Sequence, residues 1–216
     1  MTRKLAVEAI GTFFLVFTIG QVVVDPDASG LLGPLAIGTV LMTMVYAGGH
    51  VSGAHYNPAV TLAVFLRGKA TVHEMLGYWV FQLVAGALAA TVVLWIKGGA
   101  PLTVPSINVG KALAAEFIFT FALVFVVLNV ATVRSVEGNS YFGLAIGATV
   151  MAGAYAVGPV SGGVFNPAVT IGAVVLGTMD IANVWVYLVA QVLAGAAAAT
   201  VFNLLDLGTE KATPEA

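Results

Sequence analysis

The chain has 216 residues, 60% of them hydrophobic and only 8% charged, with a net charge of -2 and no cysteine. Its mean hydropathy is +1.02, whereas a soluble domain carries roughly 25% charged residues. These values describe an integral membrane protein, exclude disulfides and thiolate metal sites, and give no basic footprint for nucleic acid.

Apolar runs long enough for a bilayer, about 20 helical residues, are taken in chain order. The first, 5 to 24, follows Arg3 and Lys4 in the manner of a secretory signal. It is long, carries Glu8 and lacks a small-x-small cleavage site, so it reads as a membrane span. After the turn-rich DPDASGLLGP comes a second span, 33 to 50, and then the glycine-rich GGHVSGAH. The apolar piece 57 to 67 is too short to cross: eleven helical residues rise about 16 Å, half of a ~30 Å hydrocarbon core. A third span, 72 to 96, carries Gln82 and ends at KGGAPLTVPSINVGK. The fourth, 111 to 133, carries Glu116; after RSVEGNS the fifth runs from 142 to 158 into GPVSGGVF. A second short piece, 166 to 176, and a sixth span, 181 to 205 with Gln191, complete the chain.

Self-comparison organises these elements. LAVEAIGTFFLVF (5 to 17) matches LAAEFIFTFALVF (113 to 125), NPAVT recurs at 57 and 166, and YWVFQLVAGALAATVV (78 to 93) matches YLVAQVLAGAAAATVF (187 to 202). The offset is always 108 or 109 residues, so the chain reads as one domain of two repeats, 1 to 108 and 109 to 216. Each repeat holds three full spans, an odd number, which places the second copy upside down. The expected fold is all-α: six transmembrane helices and two re-entrant half-helices. With the N-terminus inside, Arg3, Lys4, Arg67, Lys69, Arg134 and Lys211 face the cytoplasm against Lys97 and Lys111 outside, the orientation that positive charge favours. Asp25, Asp27 and Asp180 then fall on the outer side.

Asn is a strong N-cap and Pro is favoured at the next position, so Asn57-Pro58-Ala59 and Asn166-Pro167-Ala168 read as helix starts. In inverted repeats both starts point to the bilayer midplane, each contributing roughly half a positive elementary charge. Non-helical backbone at that depth must be buried in protein or line a watery cavity, so 48 to 55 and 158 to 165 are candidate pore walls. Glu8 and Glu116 are intramembrane acids, and a proton relay is the first suspicion. Their recurrence, one per repeat, favours a static role as acceptors for the amides of the re-entrant loops. Gln82 and Gln191 are expected to join helices or loops. Three histidines without clustered acids make a metal site improbable, and no nucleophile-base pair or phosphate loop suggests an enzyme.

GHVSGAHYNPAVT resembles the first signature of the major intrinsic protein superfamily, the aquaporins and aquaglyceroporins, and the likeness covers nearly the whole chain. The resemblance implies a right-handed six-helix bundle, a homotetramer with one pore per subunit, and a cell-membrane location with both termini cytoplasmic. It further implies a passive channel for water and small neutral solutes, without cofactor, in which Asn57 and Asn166 donate to a single file of water and the half-helix ends repel cations. His55 and Gly162 would belong to the pore-wall loops. By the family pattern the outer constriction falls on Ile37, Ala154, Gly163 and Val169, none with a polar side chain. Most members place Arg where this chain has Val169, so neither strict water selectivity nor glycerol recognition carries over. Two other classes stand against the channel: an ion-coupled secondary transporter of similar inverted design, and a structural membrane protein that conducts weakly.

Overall fold

A computed structural model describes residues 1–24, 32–99 and 104–208. Eight α-helices occur among them: α1 (Thr2–Val23), α2 (Gly33–Ser52), α3 (Pro58–Leu66), α4 (Val72–Ile96), α5 (Val109–Ala131), α6 (Phe142–Ser161), α7 (Pro167–Leu176) and α8 (Val184–Leu204). Six segments are long and apolar enough to cross a membrane; α3 and α7, of 9 and 10 residues, are not. Asp25, Asp27 and Lys211 lie outside the described residues.

Local chemistry sets the ends. Thr71 and Glu74 form a reciprocal capping box that opens α4, and the Asn108 side chain accepts from Lys111 N at 3.0 Å to open α5. α6 has no side-chain cap of its own. Tyr46 of α2 supplies one, its hydroxyl accepting from Leu144 N at 3.0 Å while donating to Ser140 O at 3.0 Å. Lys4 and Glu74 form an ion pair at 2.6 Å that joins the starts of α1 and α4.

Two helices extend further than the sequence suggests. α2 runs through Gly48 and Gly49 to Ser52, and α6 through Gly158 and Pro159 to Ser161, so the non-helical loops are only Gly53–Tyr56 and Gly162–Phe165. Proline normally expels its predecessor from helical geometry by clashing with that residue's Cβ; here the predecessor is Gly158, which has none. Termination comes one turn later, where Gly53 (φ 88°) and Gly162 (φ 91°) adopt the left-handed conformation.

The helices are apolar on every side, so close approach of small residues selects the packing. α1 packs on α2 and α4, and α5 packs equivalently on α6 and α8. The half-helices cross between repeats: α7 sits on α4 and α3 on α8. Gly86 of α4 faces the Ala168 carbonyl, where a Cβ would lie 2.6 Å from the oxygen, and Gly195 of α8 faces the Ala59 carbonyl at 2.7 Å. α2 and α6 cross at their repeat-related glycines, where a Cβ on Gly38 would stand 2.7 Å from Gly147 O and one on Gly147 closer still to Gly38 O. Backbone cannot yield there as a side chain would. Gly38→Ala is expected to lower the thermal unfolding midpoint in detergent by an amount equivalent to roughly 1–3 kcal/mol; an unchanged midpoint would mean that the crossing is loose.

Candidate functional site: a two-fold pore centred on the paired half-helices

Both re-entrant loops are held by one buried carboxylate each. Glu8 accepts Ser52 Oγ (2.7 Å) and His55 N (2.9 Å) on one oxygen, and Tyr56 N (2.7 Å) and Gln82 Nε2 (2.9 Å) on the other. Glu116 repeats the pattern with Ser161 Oγ (2.7 Å), Val164 N (2.9 Å), Phe165 N (2.7 Å) and Gln191 Nε2 (2.9 Å). Tyr78 and Tyr187 complete the two cages by donating to the Ser52 and Ser161 carbonyls at 2.8 and 2.7 Å. Each carboxylate is fully buried and faces four donors. The static support is therefore geometrically complete, leaving neither acid an open coordination position.

These bonds hold a backbone that would not be adopted freely. Ala54, Tyr56 and Phe165 have φ of 52°, 49° and 51°, left-handed values for non-glycine residues. The two aromatic side chains are seated in space left by glycines, Tyr56 against Gly11 and Gly48, and Phe165 against Gly153. Tyr56 also donates to Met44 O at 2.9 Å.

The strained turn delivers each asparagine to the helix start. Asn57 Oδ1 accepts Ala59 N at 2.9 Å and Asn166 Oδ1 accepts Ala168 N at 2.9 Å, so both oxygens are consumed as caps. The nitrogens bond across the repeat: Asn57 Nδ2 donates to Phe165 O at 2.9 Å, and Asn166 Nδ2 to Tyr56 O at 2.8 Å. An amide nitrogen carries two hydrogens. One on each asparagine is thus left without a protein acceptor, and both residues line a cavity of about 410 Å³.

That cavity is two-fold in its walls. Leu15 and Leu123, Ile19 and Val127, Ile37 and Ile146, and Val60 and Val169 are repeat mates, and all line it. On the side where α7 ends it extends past Pro105–Ile107 and Thr178–Asp180. Among the expected pore residues, His55, Gly162, Ile37, Gly163 and Val169 line the cavity. Ala154 does not: it stands behind Gly163, where a Cβ would be 3.1 Å from Ala154 Cα. The His55 ring is turned away towards α4, with Nδ1 3.1 Å from Thr61 Oγ1 and the ring edge-on to Tyr78 at 5.1 Å. Backbone adds to the polar character that Asn57, Asn166, Ser106, Thr178, Asp180 and Asn183 supply. Among the described residues, the Ala54, His55, Gly162, Gly163 and Val164 carbonyls receive no protein hydrogen bond and belong to lining residues.

A sequence model of the major intrinsic protein family matches residues 1–154 and 137–214. The chain belongs to the major intrinsic protein family. It is 39% identical over 213 residues to aquaporin NIP1-3 of Oryza sativa subsp. japonica, covering 94% of this chain and 73% of the relative. Aquaporin NIP1-1 of Zea mays is 37% identical over 213 residues, covering 94% and 74%. In fold the chain resembles the aquaglyceroporin from Plasmodium falciparum, with a TM-score of 0.83 over 95% of this chain and 99% of that one, at 22% identity. As a member of this family the chain is a membrane channel for water and small neutral solutes and not an enzyme.

Thr61 Oγ1 accepts from Gln82 Nε2 at 3.1 Å and Thr170 Oγ1 donates to Gln191 Oε1 at 3.1 Å, so threonines join the serines and tyrosines as site residues that the sequence motifs do not single out. Ser52/Ser161, Tyr78/Tyr187 and Thr61/Thr170 all recur at the repeat offset, and that recurrence at polar positions was the available signal.

Proposed function

We propose that the chain conducts water together with small neutral solutes such as ammonia, hydrogen peroxide, urea or a small polyol, through a wide apolar constriction. The carrying observation is that Ile37, Gly163 and Val169 bring no polar side chain to the cavity, while the unpartnered carbonyls of Gly162, Gly163 and Val164 stand beside them. An Arg in place of Val169 would add a fixed charge and five donors. Without it, acceptors alone replace lost hydration at this level, which suits solutes with few hydrogen-bonding groups.

Exclusion of ions then rests on the midplane. Two half-helix N-termini meet there, each equivalent to roughly +0.5 charge, and repel cations. The two free Asn57 and Asn166 N–H groups are suited to hold one water oxygen, which turns that water's hydrogens outward and prevents it from accepting a proton along the file. We further infer a single domain of inverted repeats, 1–108 and 109–216, assembled as a homotetramer in the cell membrane with both termini cytoplasmic. Against an ion-coupled transporter stands the saturation of Glu8 and Glu116 by static donors.

Stopped-flow light scattering on proteoliposomes tests the reading. Water and solute permeabilities are expected to rise linearly with protein content, with the low activation energy of pore flow. Permeabilities equal to those of bare lipid would end the proposal, and saturating, ion-coupled flux would replace it with a transporter.

A further inference from the structure

The end of the bundle that carries the start of α1 and the end of α8 holds a second cavity, of about 180 Å³, lined by Arg67, Lys69, Thr132, Arg134 and Gly208. Among the described residues, three cations and no acid line it. No salt bridge among those residues joins any of the three to a carboxylate.

Capping of α3 does not explain them. Basic side chains at a helix end usually serve the last carbonyls. Here Ala63, Phe65 and Val64 carbonyls already accept from the backbone amides of Arg67 (2.9 Å), Gly68 (2.8 Å) and Lys69 (3.0 Å), and Leu66 O from Asn203 Nδ2 (3.3 Å). Thr132 caps α5 by donating its hydroxyl to Leu128 O. Positive charge on this side suits the orientation of the spans, but that role does not require three cations to converge on one cavity.

One of them is also fixed in place. The Arg67 guanidinium lies 5.0 Å over the Phe202 ring, and its Nε is buried without a hydrogen-bond acceptor. A guanidinium fixed in place, flanked by the Lys69 ammonium and the Arg134 guanidinium, matches the oxygens of a phosphate group. The pocket sits beyond the ends of α3, α5 and α8, the depth at which headgroups of a bilayer lie.

We propose that this pocket binds a phosphate group, carried by an anionic lipid headgroup or free in solution. The test uses the full chain in a neutral detergent, titrated calorimetrically with dioctanoyl phosphatidate, inorganic phosphate and dioctanoyl phosphatidylcholine. Phosphatidate, phosphate or both should saturate at one per chain. Binding by phosphatidate alone assigns the site to lipid, and binding by both assigns it to the phosphate group itself. Lys69→Gln with Arg134→Gln should weaken that binding roughly tenfold or more, while Lys111→Gln at the opposite end leaves it unchanged. Both substituted side chains are exposed, and each single variant reads the same loss in a smaller step. The proposal is overturned if neither phosphate probe saturates, if phosphatidylcholine binds as tightly as phosphatidate, or if Lys111→Gln weakens binding as much as the double variant.

Discussion

Glu8→Ala is expected to abolish a folded, conducting channel. The substitution leaves Ser52 Oγ, His55 N, Tyr56 N and Gln82 Nε2 without their acceptor, all buried and none reachable by lipid. Each orphaned donor costs about 1–3 kcal/mol, so four together rival the whole margin of ~5–15 kcal/mol that typically holds a fold. The left-handed turn at Ala54 and Tyr56 would lose its restraint at the same time. Size-exclusion profile, thermal midpoint in detergent and water permeability should all fall. Glu116→Ala, which orphans the same four kinds of donor, should do so to a similar extent. Glu8→Gln keeps one acceptor oxygen, so it should fall between the unsubstituted chain and Glu8→Ala. If instead Glu8→Ala folded normally and altered only the pH dependence of flux, the glutamates would be proton carriers and the support role would be wrong.

Val169→Arg should change what the pore passes rather than whether it folds. Val169 is 4% exposed, in the first turn of α7, on the cavity wall beside the free Gly163 carbonyl. A guanidinium there narrows the passage and offers donors to water that a larger solute cannot exploit without being stripped. Urea and glycerol permeabilities are expected to drop by roughly tenfold, equivalent to ~1.4 kcal/mol on the barrier, with water reduced much less. The ratio of solute to water permeability in stopped-flow measurements is the readout. An unchanged ratio would put the narrowest point elsewhere along the cavity.

Much of the pore centre is legible in the sequence because single residue types dictate it. Asn before Pro in an apolar chain is a helix cap wherever it occurs, and a recurring intramembrane glutamate must find donors. The offset of 108 or 109 residues then pairs the elements without any knowledge of contacts. Less legible is where α2 and α6 stop. Gly48, Gly49, Gly158 and Pro159 read as breakers locally, yet the final turn is retained by bonds from residues far along the chain, Glu8 and Tyr78 to Ser52, Glu116 and Tyr187 to Ser161. Ala154 shows the same limit at the pore wall. Its position in the family pattern points to the constriction, but the glycine at 163 lets the loop backbone come between Ala154 and the cavity.

The two asparagine amides reach across the repeat, over 108 and 110 residues of sequence. Each donor finds its acceptor in the other half: Asn57 Nδ2 on a carbonyl made in the second, and Asn166 Nδ2 on one made in the first. Asn57 is capped within its own half through Ala59 N, but its Nδ2 gains the cross-repeat acceptor only when the second half docks. In the proposed channel, docking of the last-made half and completion of the midplane barrier are in this way a single event.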